Sequence, residues 1–315
     1  MNLRSIWKGV TKVFSDLKQA AKNWSSHQSQ AAGAALAFYT MFSIAPLFLG
    51  VLALAGLIFG EEAARKELFT QVSALIGQQG GEAIRTIVAA AHRPRAGVLA
   101  TIAAVATLIL GATGVFVQLQ TALNTVWDVR PKPGAGLRYF LRARLVSFAM
   151  VAVVAFLLLV SLVINTALAA AAKFMNGAVT NDVILWHGLE FIISFGVVVL
   201  LFAMMFKVLP DVYIPWHDVW IGGTLTALLF NIGKLLLGIY LGRSSVSSAY
   251  GAAGSLVIVL MWVYYSSQIV LFGAEFTRAY SAHCGTQAQP APGAQLVAHE
   301  VHPVEPSPAP GSRSQ

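Results

Sequence analysis

Apolar residues fall in six long runs separated by polar or basic stretches, at about 31–59, 97–120, 145–170, 184–206, 218–241 and 255–277. A helix rises about 1.5 Å per residue, so crossing a hydrocarbon layer takes about 20 residues, and every run is near or above that length. The pattern predicts an all-α polytopic membrane bundle of six transmembrane helices within residues 31–280. Pro46 stands inside the first run and predicts a kink there. A short loop, Gly242 to Gly254, joins the last two runs and makes them antiparallel neighbours.

Residues 1–30 carry a different pattern. Leu3, Ile6, Trp7, Val10, Val13, Phe14, Leu17, Ala21 and Trp24 recur at helical spacing, while Arg4, Lys8, Lys12, Lys18 and Lys22 fall largely on the other side. Such a basic amphipathic helix is predicted to lie in the membrane interface, drawn there by anionic lipid headgroups. Docking on the loops of the bundle is the competing placement. Residues 60–96 hold Leu68, Val72, Leu75 and Ile76, a GQQGG break at 77–81, then Ile84, Ile87 and Val88. This predicts two short external amphipathic helices, read as a cap over the bundle. Residues 285–315, rich in Pro, Ala, Ser and Gln, read as a disordered cytoplasmic tail.

Composition sharpens the picture. Of the 315 residues 57% are hydrophobic and 11% charged, against about 25% charged in soluble domains. The mean hydropathy is +0.70. A net charge of +8 would suggest nucleic acid for a soluble chain. Here the basic residues flank spans, so the lipid bilayer is the expected partner and nucleic acid is not. The dense basic clusters are the N-terminal helix and Arg130, Lys132, Arg138, Arg142 and Arg144, which places both termini in the cytoplasm. Cys284 is the one cysteine, so no intramolecular disulfide forms. No secretory signal peptide is expected, because the first apolar run is too long for one.

The strings AALAFYTMFSIAP (34–46), GATGVFVQLQTALNTVW (111–127), LP (209–210), IGKLLLGIYL (232–241) and YGAAGSLVIVLMWVYYSSQIVLFGAEFTRAY (250–280) together resemble the YihY/BrkB family of bacterial inner-membrane proteins. The resemblance covers roughly residues 1–280 and implies six spans. Members of that family have carried a ribonuclease BN label or a virulence label, and a transport activity has been proposed for them.

The residues argue against a ribonuclease. Phosphodiester cleavage needs paired acid and base groups or carboxylates that hold metal ions. His27, His92, His187, His217, His283, His299 and His302 show no HxE or HxxxH spacing, and Asp16, Asp128, Asp211, Asp218 and Glu275 are scattered. No P-loop, GxGxxG, CxxC or HExxH pattern appears, so no cofactor or metal is expected.

Polar groups inside spans are costly and face a partner or a watery cavity. Lys234 is about 10 Å below the outer boundary of span five, and Glu190 about 9 Å down span four. With Asn165 at a similar level and Asn231 one turn from Lys234, these four residues form a candidate polar cluster. It is either a substrate or proton site or a structural ion pair, with a snorkelling lysine as the further alternative. Tyr264, Gln268 and Glu275 share one face of span six, and Glu275 is placed to meet Arg278 or the basic loop 130–144; helix-to-helix hydrogen bonding is the plainer role. Gly111, Gly114, Gly251 and Gly254, with Pro46, mark close helix packing or a hinge. The small-residue faces would allow a homo-oligomer without requiring one.

The function expected is a non-enzymatic transporter, permease or lipid-translocating protein. The alternative is a non-transporting scaffold for envelope-assembly or virulence-related partners.

Overall fold

The computed structural model describes residues 3–91, 114–133, 145, 183–243, 253–286 and 288–297. They are mostly helical: α1 (Leu3–Ser26), α2 (Ser29–Phe59), α3 (Glu61–Ala91), α4 (residues 114–126), α5 (Val183–Val208), α6 (Trp216–Arg243) and α7 (Gly254–His283). Short strands β1 (Val129–Pro131), β2 (Val212–Tyr213), β3 (Gln289–Pro290) and β4 (Ala294–Leu296) complete the described elements.

Three of these helices contain stretches long and apolar enough to cross a membrane: Phe191–Val208, Trp216–Leu241 and Gly254–His283. They coincide with the fourth, fifth and sixth runs of the sequence. The first run forms α2, a single helix of 31 residues with Pro46 inside it. The second and third runs lie outside the described residues, apart from 114–120 and 145. On α6, Leu228, Ile232, Leu235, Leu236 and Ile239 are exposed at helical spacing. A contiguous apolar stripe of that kind is a lipid-facing surface in a protein this poor in charge.

α7 is the hub, packing against α1, α2, α3 and α6, while α5 packs along α6. The close approach of α6 and α7 rests on a reciprocal device. A Cβ at Gly222 would sit 1.8 Å from Thr277 Oγ1, and one at Gly273 would sit 1.9 Å from Thr226 Oγ1. Each threonine hydroxyl donates to its own helix, Thr226 to the Gly222 carbonyl and Thr277 to the Gly273 carbonyl, both at 2.7 Å. Two antiparallel G-x-x-x-T steps thus nest the threonine side chain, hydroxyl foremost, against glycine while both hydroxyls stay satisfied.

The core has two parts. One, at the α1 end, gathers Leu123, Val126, Phe206, Ile214 and Leu271. The other, at the α3 end, gathers Ile44, Val72, Ile84, Ile258 and Trp262. Phe230 joins them, its ring centroid 5.6 Å from those of both Phe202 and Trp262. α3 bends at Gly77, whose φ of 83° and ψ of 163° suit glycine alone. Its two halves fold against α2, α6 and α7.

Two expectations change. The segment from 285 onward is not wholly disordered. β4 pairs antiparallel with β1, and β3 with β2. Low apolar content gave no hint of this, because backbone hydrogen bonds and one buried residue, Ala294, hold the segment. The second change concerns α1. Its Asp16–Ala20 edge is buried, and Trp24 packs on the core, so the helix docks on α7. Phe14 remains 71% exposed and Val13 45%, so part of the apolar stripe still faces away from the bundle. The two placements weighed from sequence are thus not exclusive.

Candidate functional site

Between α2, α3, α4, α5, α6 and α7 lies a cavity of about 390 Å³. Its lining includes Leu36 and Ile44 from α2, Ile84 from α3, Leu119 from α4, Phe202 and Met205 from α5, Phe230 from α6, and Trp262 and Val263 from α7. Phe202, Met205, Phe230, Trp262 and Val263 lie within the three stretches apolar enough to cross a membrane. The few lining hydroxyls are mostly spent on their own helices. Thr40 donates to the Leu36 carbonyl at 2.7 Å and Ser267 to the Val263 carbonyl at 2.8 Å. Ser266 Oγ has no hydrogen-bond partner among the described residues.

Toward the α1 end, α7 carries a chain of ionisable groups. Glu275 is fully buried. Its Oε1 is 2.6 Å from His27 Nδ1. The other ring nitrogen, His27 Nε2, is 3.6 Å from Asp128 Oδ1. Asp128 also pairs with Arg278, whose Nη1 donates to the Val126 carbonyl at 2.6 Å. Glu275 Oε2 has no partner among the described residues.

Local geometry explains how remote residues meet. Gln28 takes a left-handed conformation, φ 51°, and turns the chain from α1 into α2, beside His27. Asp128 is itself left-handed, φ 49°, at the turn from α4 to β1. Aspartate tolerates that region better than most residues. A further contact pins α1 to the end of α7: Asp16 Oδ1 is 2.7 Å from His283 Nδ1.

A second polar knot ties α4 to the turn after α5. Asn124 Nδ2 donates to Asp211 Oδ2 at 2.8 Å, and the Asp211 amide returns a bond to Asn124 Oδ1 at 2.8 Å. Gln120 Nε2 reaches the same carboxylate at 3.3 Å. The Asp211 carbonyl accepts from the Ala291 amide at 2.9 Å, which joins the strand segment to the knot. Lys207 donates to the Ile214 carbonyl and lies 5.5 Å from the centre of the Trp216 ring.

The residues singled out from sequence distribute as follows. Asn165, Gly111 and Gly251 lie outside the described residues. Glu190 and Pro46 are placed as backbone positions of α5 and α2. Asn231 donates to the Ala227 carbonyl of its own helix at 2.8 Å, and Lys234 is half-buried one turn away. Gly114 brings α4 against α2, since a Cβ there would be 3.3 Å from Tyr39. Gly254 is buried at the start of α7.

Tyr264, Gln268 and Glu275 share a helix face but not an environment. Tyr264 is exposed, Gln268 donates weakly to the Gln30 carbonyl at 3.4 Å, and Glu275 is sealed. The α1–α2 junction covers only the lower part of that face. Sequence reasoning missed His27 and Asp128 as partners of Glu275 and Arg278, and it missed the G-x-x-x-T pair. The latter was visible as GGTLT at 222–226 and GAEFT at 273–277.

Among the described residues no group of three or more histidine, cysteine or carboxylate side chains is placed to hold a metal ion. Comparison with known proteins places the chain. Residues 20–296 match the family described as Virulence factor BrkB. A UPF0761 membrane protein of Albidiferax ferrireducens is 30% identical over 173 residues, 55% of this chain and 40% of that one. One from Pseudomonas aeruginosa is 26% identical over 248 residues, 76% of this chain and 56% of its own length. One from Psychrobacter is 23% identical over 286 residues, 88% of this chain and 50% of its own. The chain thus spans about half the length of these curated relatives. No solved structure matches. The match ends at residue 296, the last residue of β4, so it takes in the polar network and the strand segment as well as the helices, and the chain belongs to the BrkB family of bacterial membrane proteins.

Proposed function

We propose that this protein is a transporter of the permease type, crossing a bacterial inner membrane six times with both termini in the cytoplasm. One observation carries the reading: a partly open cavity of about 390 Å³ lined by six helices at membrane depth. Ligand sites in helical bundles form between helices in this way, and their volumes start at about 300 Å³. A bundle that only displays a docking surface gains nothing from leaving its centre open, because interiors otherwise pack to crystal density.

The ends of the cavity suit a gate at each face. α3 closes one end with a helix pair hinged at Gly77. The Glu275–His27–Asp128–Arg278 chain lies past the other, beyond the lining of the cavity. Lysines of α1 and the pair Arg130 and Lys132 make the second end the cytoplasmic one by the positive-inside rule. There α1 rests on anionic headgroups, with Phe14 turned toward the acyl layer. The reading assigns no catalytic chemistry.

Access to the cavity tests it. In a Cys284→Ser background, single cysteines replace Thr40 and Ser266 in proteoliposomes. A small membrane-impermeant thiol reagent is then applied to each face in turn. Labelling of both positions from one or the other face is the expected result. Protection from both faces, with loop cysteines labelled normally, would reject transport through this cavity and favour the scaffold.

A further inference from the structure

We infer that the cavity is a binding site for one hydrocarbon chain of a bilayer lipid. The assignment deepens the transport reading, since it names the substrate class, and rests on it for movement; occupancy is tested without any transport.

The lining decides the chemistry. A polar or charged solute moved into an apolar site loses its hydrogen bonds to water and must recover them from the walls. Among the described residues these walls offer almost nothing. Thr40 and Ser267 already donate within their own helices. Ser266 Oγ is the one lining side-chain oxygen without a partner among the described residues. A trapped water needs about two to four polar partners, so water is a poor occupant too, and the thiol reagent enters only in a conformation that opens one end to water.

Position and size select the chain. The lining residues Phe202, Met205, Phe230 and Val263 stand in the three helices apolar enough to cross a membrane. The liquid surrounding those helices is itself acyl chains. The charged groups of the α1 end lie beyond the lining: Glu275 is more than one helical turn past Val270, the last lining residue of α7. At roughly 30 Å³ for each water-sized group in a liquid, the cavity holds about a dozen such groups. Part of the wall is aromatic. Phe230 is braced between Phe202 and Trp262. Ile84 and Gly80 of α3 close the far wall, with Gly80 so near that a Cβ there would be 3.2 Å from Trp262.

The test uses the full chain in bilayers containing a phospholipid with a photoactivatable group midway along one acyl chain. After illumination, the adducts are mapped by mass spectrometry. Adducts on the cavity side chains Met205, Val263 and Ser266 are expected, alongside those on the lipid-facing Leu235 and Leu236. Val263→Phe and Val198→Phe, made separately, narrow the cavity from α7 and from α5. Each should lose the cavity adducts and keep the outer ones, which also report that the variant is folded in the membrane. Adducts confined to Leu235, Leu236 and other outward positions in the wild-type protein would overturn the assignment. So would cavity adducts that persist in both variants. Either result leaves the thiol-access test of transport standing on its own.

Discussion

Glu275, fully buried in α7, has its carboxylate oxygen 2.6 Å from the Nδ1 of His27, a residue 248 positions away at the α1–α2 junction. A buried carboxyl group against an imidazole ties the α1–α2 junction to the hub of the bundle. Removing one partner of a buried ionisable pair costs more than removing both, because the survivor is left desolvated.

His27→Ala should therefore lower stability by about 3 kcal/mol. Glu275→Gln, which keeps a hydrogen-bonding side chain of the same shape, should cost less. The double replacement His27→Ala with Glu275→Leu should be more stable than the sum of its single effects predicts. Reversible unfolding in detergent measures all of these. Strict additivity would mean that the two side chains do not act as a pair.

The α6–α7 contact makes a crossed prediction. Gly222→Ala drives a methyl into Thr277, and Gly273→Ala drives one into Thr226. Overpacking of this kind costs about 1–3 kcal/mol. Thr277→Ala should relieve part of the first defect and none of the second, while Thr226→Ala does the converse. Relief is partial because the Cβ of Thr277 remains 2.8 Å from the added methyl. Unfolding midpoints of the four singles and four pairs test the crossing. Equal rescue by either threonine change would show that the helices separate as a body instead.

Gly77 is a narrower case. Its backbone angles lie in a region closed to side chains, with nothing near enough to clash with an added Cβ. Gly77→Ala should cost about 1–3 kcal/mol through backbone strain alone. Gly188→Ala on α5, also in open space, should have no such cost. Parallel melts of the two variants separate strain from crowding. Similar midpoints would remove the hinge from the description of α3.

The helices were legible because hydrophobic length is a strong signal. The runs at 184–206, 218–241 and 255–277 each fall on a described helix of membrane-crossing composition, and the glycine-rich break at 77–81 begins where α3 bends. The polar network was not legible, for a physical reason. His27, Asp128 and Glu275 are far apart in sequence and have no shared spacing, and two left-handed residues, Gln28 and Asp128, bring them together. The strand segment was illegible for another reason. Pairing of β3 and β4 is a matter of backbone hydrogen bonds, which Pro-rich, weakly apolar residues conceal. Asn231 shows the limit of depth matching: it satisfies itself on Ala227 within its own helix.

The strands lead to a prediction by hydrogen exchange. Val297 donates to the Asp128 carbonyl at 2.7 Å, and Lys132 to the Gly293 carbonyl at 2.9 Å. Deleting residues 288–297 should speed exchange of amides in 129–132 and 212–213, the stretches paired with the deleted strands. Amides in the middle of α6 should keep their protection, since α6 packs on α5 and α7 instead. Unchanged exchange at 129–132 would mean that β4 contributes no protection to β1.

The last prediction concerns the outward face of α1. The docked edge runs through Asp16 and Ala20, held by the 2.7 Å contact of Asp16 with His283. Phe14 points elsewhere, 71% exposed, while Lys18 and Lys22 are exposed beyond it. A helix fixed along one edge and carrying phenylalanine beside lysines has the arrangement of an interfacial helix. A spin label at position 14 in vesicles containing anionic lipid should be relaxed by oxygen, which concentrates in the acyl layer, more than by a water-soluble nickel complex. A label at position 18 should show the reverse. Asp16→Ala should leave both preferences in place, because the lipid contact depends on the apolar edge and the docking on the other. Preferential relaxation of position 14 by the nickel complex would instead put the exposed edge of α1 in water and remove headgroups from its partners.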